Sequence, residues 1–312
     1  MTHTNHAGPG GPPTRWAPIV LMLALAGGTL AGCARMPGPG AAPEADPSPA
    51  SPVTAVTQLA LDLRRNDLVA YANHALPPNL HSRMQAAWKE GRTVWPLSQL
   101  PLNNRLPGFI AVLSAPGAEK VLLQAYDRQF SGAHRELRSA ASTLGVFATH
   151  YVGNAGQYGP AEREHYTQLI AALSQWGRRA PLADPAHAWA AVPELVAAAR
   201  LTGLGAPDAL QTAGMERSLV RLGPFLARFK KVSLAYGLDL DAALDSVQVE
   251  LLQQTGDTAS VQLRYTLAGQ AIHAIVPVER RGDRWYLSDL LRHAEAQAGD
   301  PAPPLEPVVA AP

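Results

Sequence analysis

A chain of 312 residues, 47% of them hydrophobic, is long enough to bury a sizeable core, and its 26 Lys plus Arg against 25 Asp plus Glu leave a net charge of +1. A chain so balanced has no strong global field to concentrate a polyanion, which argues against a nucleic-acid binder. The single cysteine excludes an internal disulfide framework, and no fixed-period repeat of the solenoid kind is present.

Arg15 is the only charged side chain ahead of an apolar stretch, Trp16 to Leu30, which ends on the small residues Ala31 and Gly32. A basic start, a short apolar middle and small residues at the end read as an export signal over residues 1–32. The apolar run is shorter than the roughly 18 to 20 residues that cross a hydrocarbon core, so a permanent span is the weaker reading. Removing this segment takes away one base and no acid, leaving 25 of each sign. From the residues alone, a stray or buried thiol behind an ordinary secretory signal stays open.

Leu30-Ala31-Gly32-Cys33 resembles the lipobox of bacterial lipoproteins. The resemblance implies that Cys33 is the lipid-attachment residue: it takes a diacylglyceryl thioether, the chain is cut before it, and the new amino group is acylated. One acyl chain holds a protein marginally and two or more hold it stably, at about 0.8 kcal/mol per buried methylene. Ala34 stands where that family carries Asp for inner-membrane retention, so the resemblance implies the outer membrane, facing the periplasm. Residues 33–53 then supply the lipidated Cys and a linker of mainly Pro, Gly, Ala and Ser that stays extended or disordered.

From 54 to 205 the pattern predicts a helical domain. Val56, Leu59, Ala60 and Leu63 recur at helical spacing, and Asn66-Asp67 read as the start of a second helix that Pro77-Pro78 stops. Further helices are expected over 79–89, 108–113, 119–130, 135–151, 161–176 and 186–200, with Gly91 to Pro107 as a loop on the surface. The segment from Pro160 to Arg179 is the clearest: Tyr166, Leu169, Ile170, Leu173 and Trp176 share a stripe, with Pro at the first turn and Arg178 and Arg179 at the last.

The last third changes period. Phe225, Phe229, Val232 and Tyr236 make a helical stripe, after which apolar residues alternate with polar ones through Val247 to Leu251, Val261 to Leu267, Ile272 to Val278, and Trp285 with Leu287. Gly256, Gly269 and Gly282 lie in the breaks, so the segment predicts a helix plus an antiparallel meander of about four strands over 213–298, and an α+β fold overall. Arg281-Gly282-Asp283-Arg284-Trp285-Tyr286-Leu287-Ser288 resembles the end of an NTF2-like or cystatin-like module. That resemblance implies a sheet curled around a helix; Trp285 follows the Gly282 turn in phase with Leu287, so both are expected to face Phe225, Phe229 and Val232. A Pro-rich tail, 299–312, is expected to be disordered.

The chemistry-bearing motifs sought are missing: no Gly-x-Ser-x-Gly, no Gly-Lys-Ser/Thr phosphate loop, no His-Glu-x-x-His and no Ser-x-x-Lys. Asp239, Asp241 and Asp245 invite calcium, but Ala243 occupies a ligand position, and a turn is the better reading. His74 with His81, His134 with Glu136, and His165 with Glu164 lack ligand spacing. Arg228, Lys230, Lys231, Arg280, Arg281 and Arg284 form one basic patch if the helix packs on the sheet. No catalytic, cofactor-binding or metal-ligating residue is assigned. Two readings result: a non-catalytic, membrane-anchored envelope adaptor, assembly factor or binding module that meets a partner protein or wall polymer; and a periplasmic hydrolase or lyase with its pocket on the meander's concave face, where Tyr265 is the polar end.

Overall fold

A helix needs its first N–H groups satisfied, and Ser51 does this for α1 (Pro52–Arg65): its Oγ accepts from the Thr54 N–H at 3.1 Å, with Pro52 in the first turn. In this computed structural model, which describes residues 50–99, 106–154, 156 and 158–299, α1 is the first element. The export signal, Cys33, the spacer up to residue 49 and the tail from residue 300 lie outside the described residues. Asn66 ends α1 in the left-handed region at φ 61° instead of opening the next helix; Asp67 caps α2 (Leu68–Ala75), accepting from the Ala70 N–H at 2.9 Å.

The helical layer continues with α3 (Pro78–Lys89), α4 (Leu106–Ser114), α5 (Ala118–Gln129), α6 (His134–Asn154), α7 (Pro160–Arg179), α8 (Pro185–Thr202), α9 (Ala209–Ala213), α10 (Met215–Ala235) and α11 (Leu240–Asp245). Its core draws on nearly all of these, from Leu59 and Met84 to Trp176 and Tyr236. Part of the segment expected as a surface loop belongs to that core. Trp95 is fully buried beside Leu97, and Thr93 ties the segment to a later part of the chain, its Oγ1 donating to Gln297 Oε1 at 2.7 Å. Pro96 keeps regular helix from forming around Trp95 but does nothing to hold the Trp in water.

α6 and α7 pack through small residues. A Cβ on Gly145 would stand 2.5 Å from Ser174 Oγ, and one on Gly177 would stand 3.2 Å from the Ala141 Cβ, so the two backbones approach closely.

After α11 come β1 (Gln248–Thr255), β2 (Thr258–Leu267), β3 (Gln270–Arg281), β4 (Arg284–Leu287) and a final helix, α12 (Ser288–Ala298). The four strands form one antiparallel sheet in the order β1-β2-β3-β4, so the α+β class and the helical N-terminal region are as expected. Positive φ at Gly256, at Ala268 with Gly269, and at Gly282 makes the three tight turns. One face is apolar: Val249, Leu251, Val261, Leu263, Ile272, Ala274, Val276, Val278, Trp285 and Leu287 share it by register. The other is largely wet, with Thr258, Thr266, His273 and Ile275 exposed.

The helix over the sheet is not the one expected. Ala55 and Val56 of α1 pack with Val261, Val278 and Trp285, while α7 covers the end of the face that carries Tyr265 and Ile272. The stripe of α10 is turned into the helical layer, where Phe225 meets Phe109 of α4 edge-on at 6.2 Å and the helix packs chiefly on α8. A stripe at helical spacing tells that a face is buried, not what buries it. Tyr286, one residue out of phase with Trp285, is 2% exposed and belongs to the main core along with Leu291 and Ala294 of α12, so β4 is covered on both sides.

Candidate functional site

A cluster of ionisable and aromatic side chains lies where the first half of α7 meets β2 and α12. Glu162, His165 and Tyr166 share a helix face at spacings of three and four residues. Tyr265 reaches them because it stands on the apolar sheet face, and its hydroxyl lies 2.8 Å from His165 Nε2. The His165 ring meets Tyr265 edge-on at 5.9 Å and lies nearly parallel to Tyr166 at 6.1 Å. Tyr158 closes the group, 5.1 Å from Tyr166 and 6.1 Å from His293 of α12.

Glu162 is the carboxylate of this seam, its side chain 8% exposed. It accepts from Arg292 at 2.7 Å and from the Gly159 N–H at 3.2 Å, and stands 3.4 Å from His293. Arg292 also holds Asp289 at 2.6 Å, and these hydrogen bonds raise the guanidinium's pKa. Burial lowers the pKa of His165, which favours neutral imidazole, and raises those of Tyr166 and Tyr265, which keeps both phenols protonated. With His165 neutral and Nε2 bare, the Tyr265 hydroxyl donates to it; the burial that lowers the His165 pKa favours that arrangement.

A second buried pair lies at the α1–α2 hairpin. Asp62 Oδ2 is 2.7 Å from His74 Nδ1, with both side chains almost fully buried, and Gln58 donates to the other carboxylate oxygen at 2.9 Å. Burial, aided by Asp62, pushes the Tyr71 phenol up to about 12. His81 goes elsewhere: it lines a small cleft of about 90 Å³ with Asn73, Gln85 and Glu216, and burial lowers its pKa against the opposing pull of Glu216.

The acids considered for calcium are committed to the protein. Asp239 caps α11 by accepting from the Ala242 N–H at 2.8 Å, Asp241 meets Lys230 at 2.7 Å, and Asp245 takes Arg64 at 2.8 Å. Among the described residues no three His, Cys, Asp or Glu side chains gather into a metal-sized group.

The basic patch does not assemble, because α10 does not lie on the sheet. Arg228 pairs with Glu194, Arg280 with Asp257 and Arg281 with Glu279. Lys230 is buried, its ammonium donating at 2.5 Å to the Leu63 carbonyl at the end of α1; burial lowers its pKa and Asp241 partly restores it.

Tyr265 was legible as a polar group on the apolar face, but its partner was not. The spacing of Glu162, His165 and Tyr166 was the available signal for the seam; Tyr265 and His293, more than 90 residues further on, leave no trace at that spacing. α12 also went unpredicted, although Leu291, Ala294 and Ala298 recur at helical intervals behind Asp289. No family model, no curated protein and no solved structure matches this chain.

Proposed function

We propose that the protein is a bacterial lipoprotein, held through acylated Cys33 at the periplasmic face of the outer membrane, whose folded body acts as an envelope adaptor or binding module for a partner protein or wall polymer. The observation that carries this reading is Leu30-Ala31-Gly32-Cys33 directly behind a basic, then apolar, leader. Binding is favoured over catalysis by how the ionisable groups are used: Glu162, Asp239, Asp241, Asp245 and Lys230 each cap a helix or hold an ion pair between elements. Metabolic labelling with an alkynyl fatty acid tests the anchor. The natural chain should take the label and sediment with membranes, while Cys33→Ala should take none; label retained by the alanine variant overturns the proposal.

A second reading, a periplasmic hydrolase or lyase, has the Tyr265–His165 contact in its favour, since a neutral imidazole is a competent proton acceptor. It needs substrate to reach a face that α7 covers. Turnover by the purified protein in a broad ester, amide and glycoside screen, abolished in His165→Gln, would establish it.

A further inference from the structure

The sheet treats its two edges differently. On one side β4 pairs with β3 over Val278 to Arg281, and beyond it α7 takes over: Gln168 Oε1 accepts from the His273 N–H at 2.9 Å while Gln168 Nε2 donates to the His273 carbonyl at 2.8 Å. A side-chain amide thus stands in for a neighbouring strand. On the other side β1 runs for eight residues, pairs with β2, and has no strand on its outer side among the described residues.

An open edge presents a row of unpaired N–H and C=O groups, which proteins usually blunt with Lys, Pro, inward charge or a very short strand. β1 reads Gln-Val-Glu-Leu-Leu-Gln-Gln-Thr, with neither Lys nor Pro. Its one charge, Glu250, meets Arg264 of β2 at 3.2 Å. A bulge between Leu251 and Gln253 inserts Leu252, and the two leucines are 48% and 49% exposed. A bulge can turn an edge aside, but here the inserted residue is apolar, which adds contact surface where a charge would repel.

We propose that β1 is a pairing edge for a second copy of this chain, the two β1 strands joining antiparallel about a two-fold axis into one eight-stranded sheet. A two-fold contact must be complementary to itself. Every register centred from Leu251 to Leu252 keeps Glu250 away from its symmetry mate, sets it opposite an uncharged residue, and brings the leucines of both copies together at the centre. The strand carries no charge pattern that would select a foreign peptide. A seam of this length buries less than the roughly 1,200 Å² of a standard interface, which puts the association in the weak, transient class.

The test is sedimentation equilibrium of the full chain, extracted from membranes in a density-matched detergent held in large micellar excess, from about 1 to about 200 μM. The natural chain should show a monomer–dimer equilibrium, and Leu252→Lys should weaken it about ten-fold or more by placing like charges at the seam. Should Leu252→Lys also lower the thermal midpoint, Leu252→Cys decides, because mild oxidation should cross-link this variant as a dimer while Val121→Cys, exposed on α5, stays monomeric. A monomer throughout the range, a dimer indifferent to Leu252→Lys, or equal cross-linking at the two cysteines overturns the proposal.

Discussion

Burying an imidazole strips its protonated form of hydration, and His165 carries that penalty between α7 and β2. Its pKa in the folded chain lies below the ordinary 6.5, whereas the unfolded chain recovers the ordinary value. As pH falls through 6.5 the unfolded state binds the proton first, so stability declines, and the loss is complete once pH drops below the native pKa. His81 is shifted the same way by the same cause and adds to the slope. The thermal midpoint should therefore fall between about pH 7.5 and about pH 5.5. His165→Gln cannot take the proton and still offers Tyr265 a hydrogen-bonding partner, so its fall should be shallower. An unchanged or steeper slope in differential scanning calorimetry would remove His165 from the account.

At the scale of one element, β4 separates what a period can tell from what it cannot. The alternation set the phase of Trp285 and Leu287, and the register with Val278 and Arg280 agrees with it. It also placed Tyr265 on the apolar face, alongside Val261 and Ile272. What covers a face depends on chain far away: Ala55 and Val56 reach Trp285 across more than 200 residues, and no local spacing records that. Alternation alone would likewise assign the out-of-phase Tyr286 to water, whereas α12 folds back over that side. Trp285→Ala and Tyr286→Ala should then both be costly, each losing about 3 to 5 kcal/mol against a usual domain stability of about 5 to 15. Urea unfolding midpoints would check this. A Tyr286→Ala midpoint close to that of the natural chain would mean that its ring is not held in the core.

For the whole molecule, the question is whether the meander has a core of its own. Its apolar face is closed from outside the 213–298 segment, by α1 at the end that carries Val261, Val278 and Trp285 and by α7 at the end that carries Tyr265 and Ile272. The open edge of β3 leans on Gln168 of α7 as well. Lys230 binds the same halves together from the helical side, holding the last carbonyls of α1 from α10 while pairing with Asp241 of α11. A fragment from Ala213 to Ala298 would keep the strands and α12 but expose Val261, Val278 and Trp285, each now at most 4% exposed. Returning these three to water forfeits about 1.5 to 3 kcal/mol apiece, a large part of what a small domain has in total. The fragment should show no cooperative thermal transition, and adding residues 50–66 as a separate peptide should not restore one, because α7 would still be missing. A sharp transition in the isolated fragment would mean that the strands find another cover, and that α1 and α7 dock on a sheet already formed.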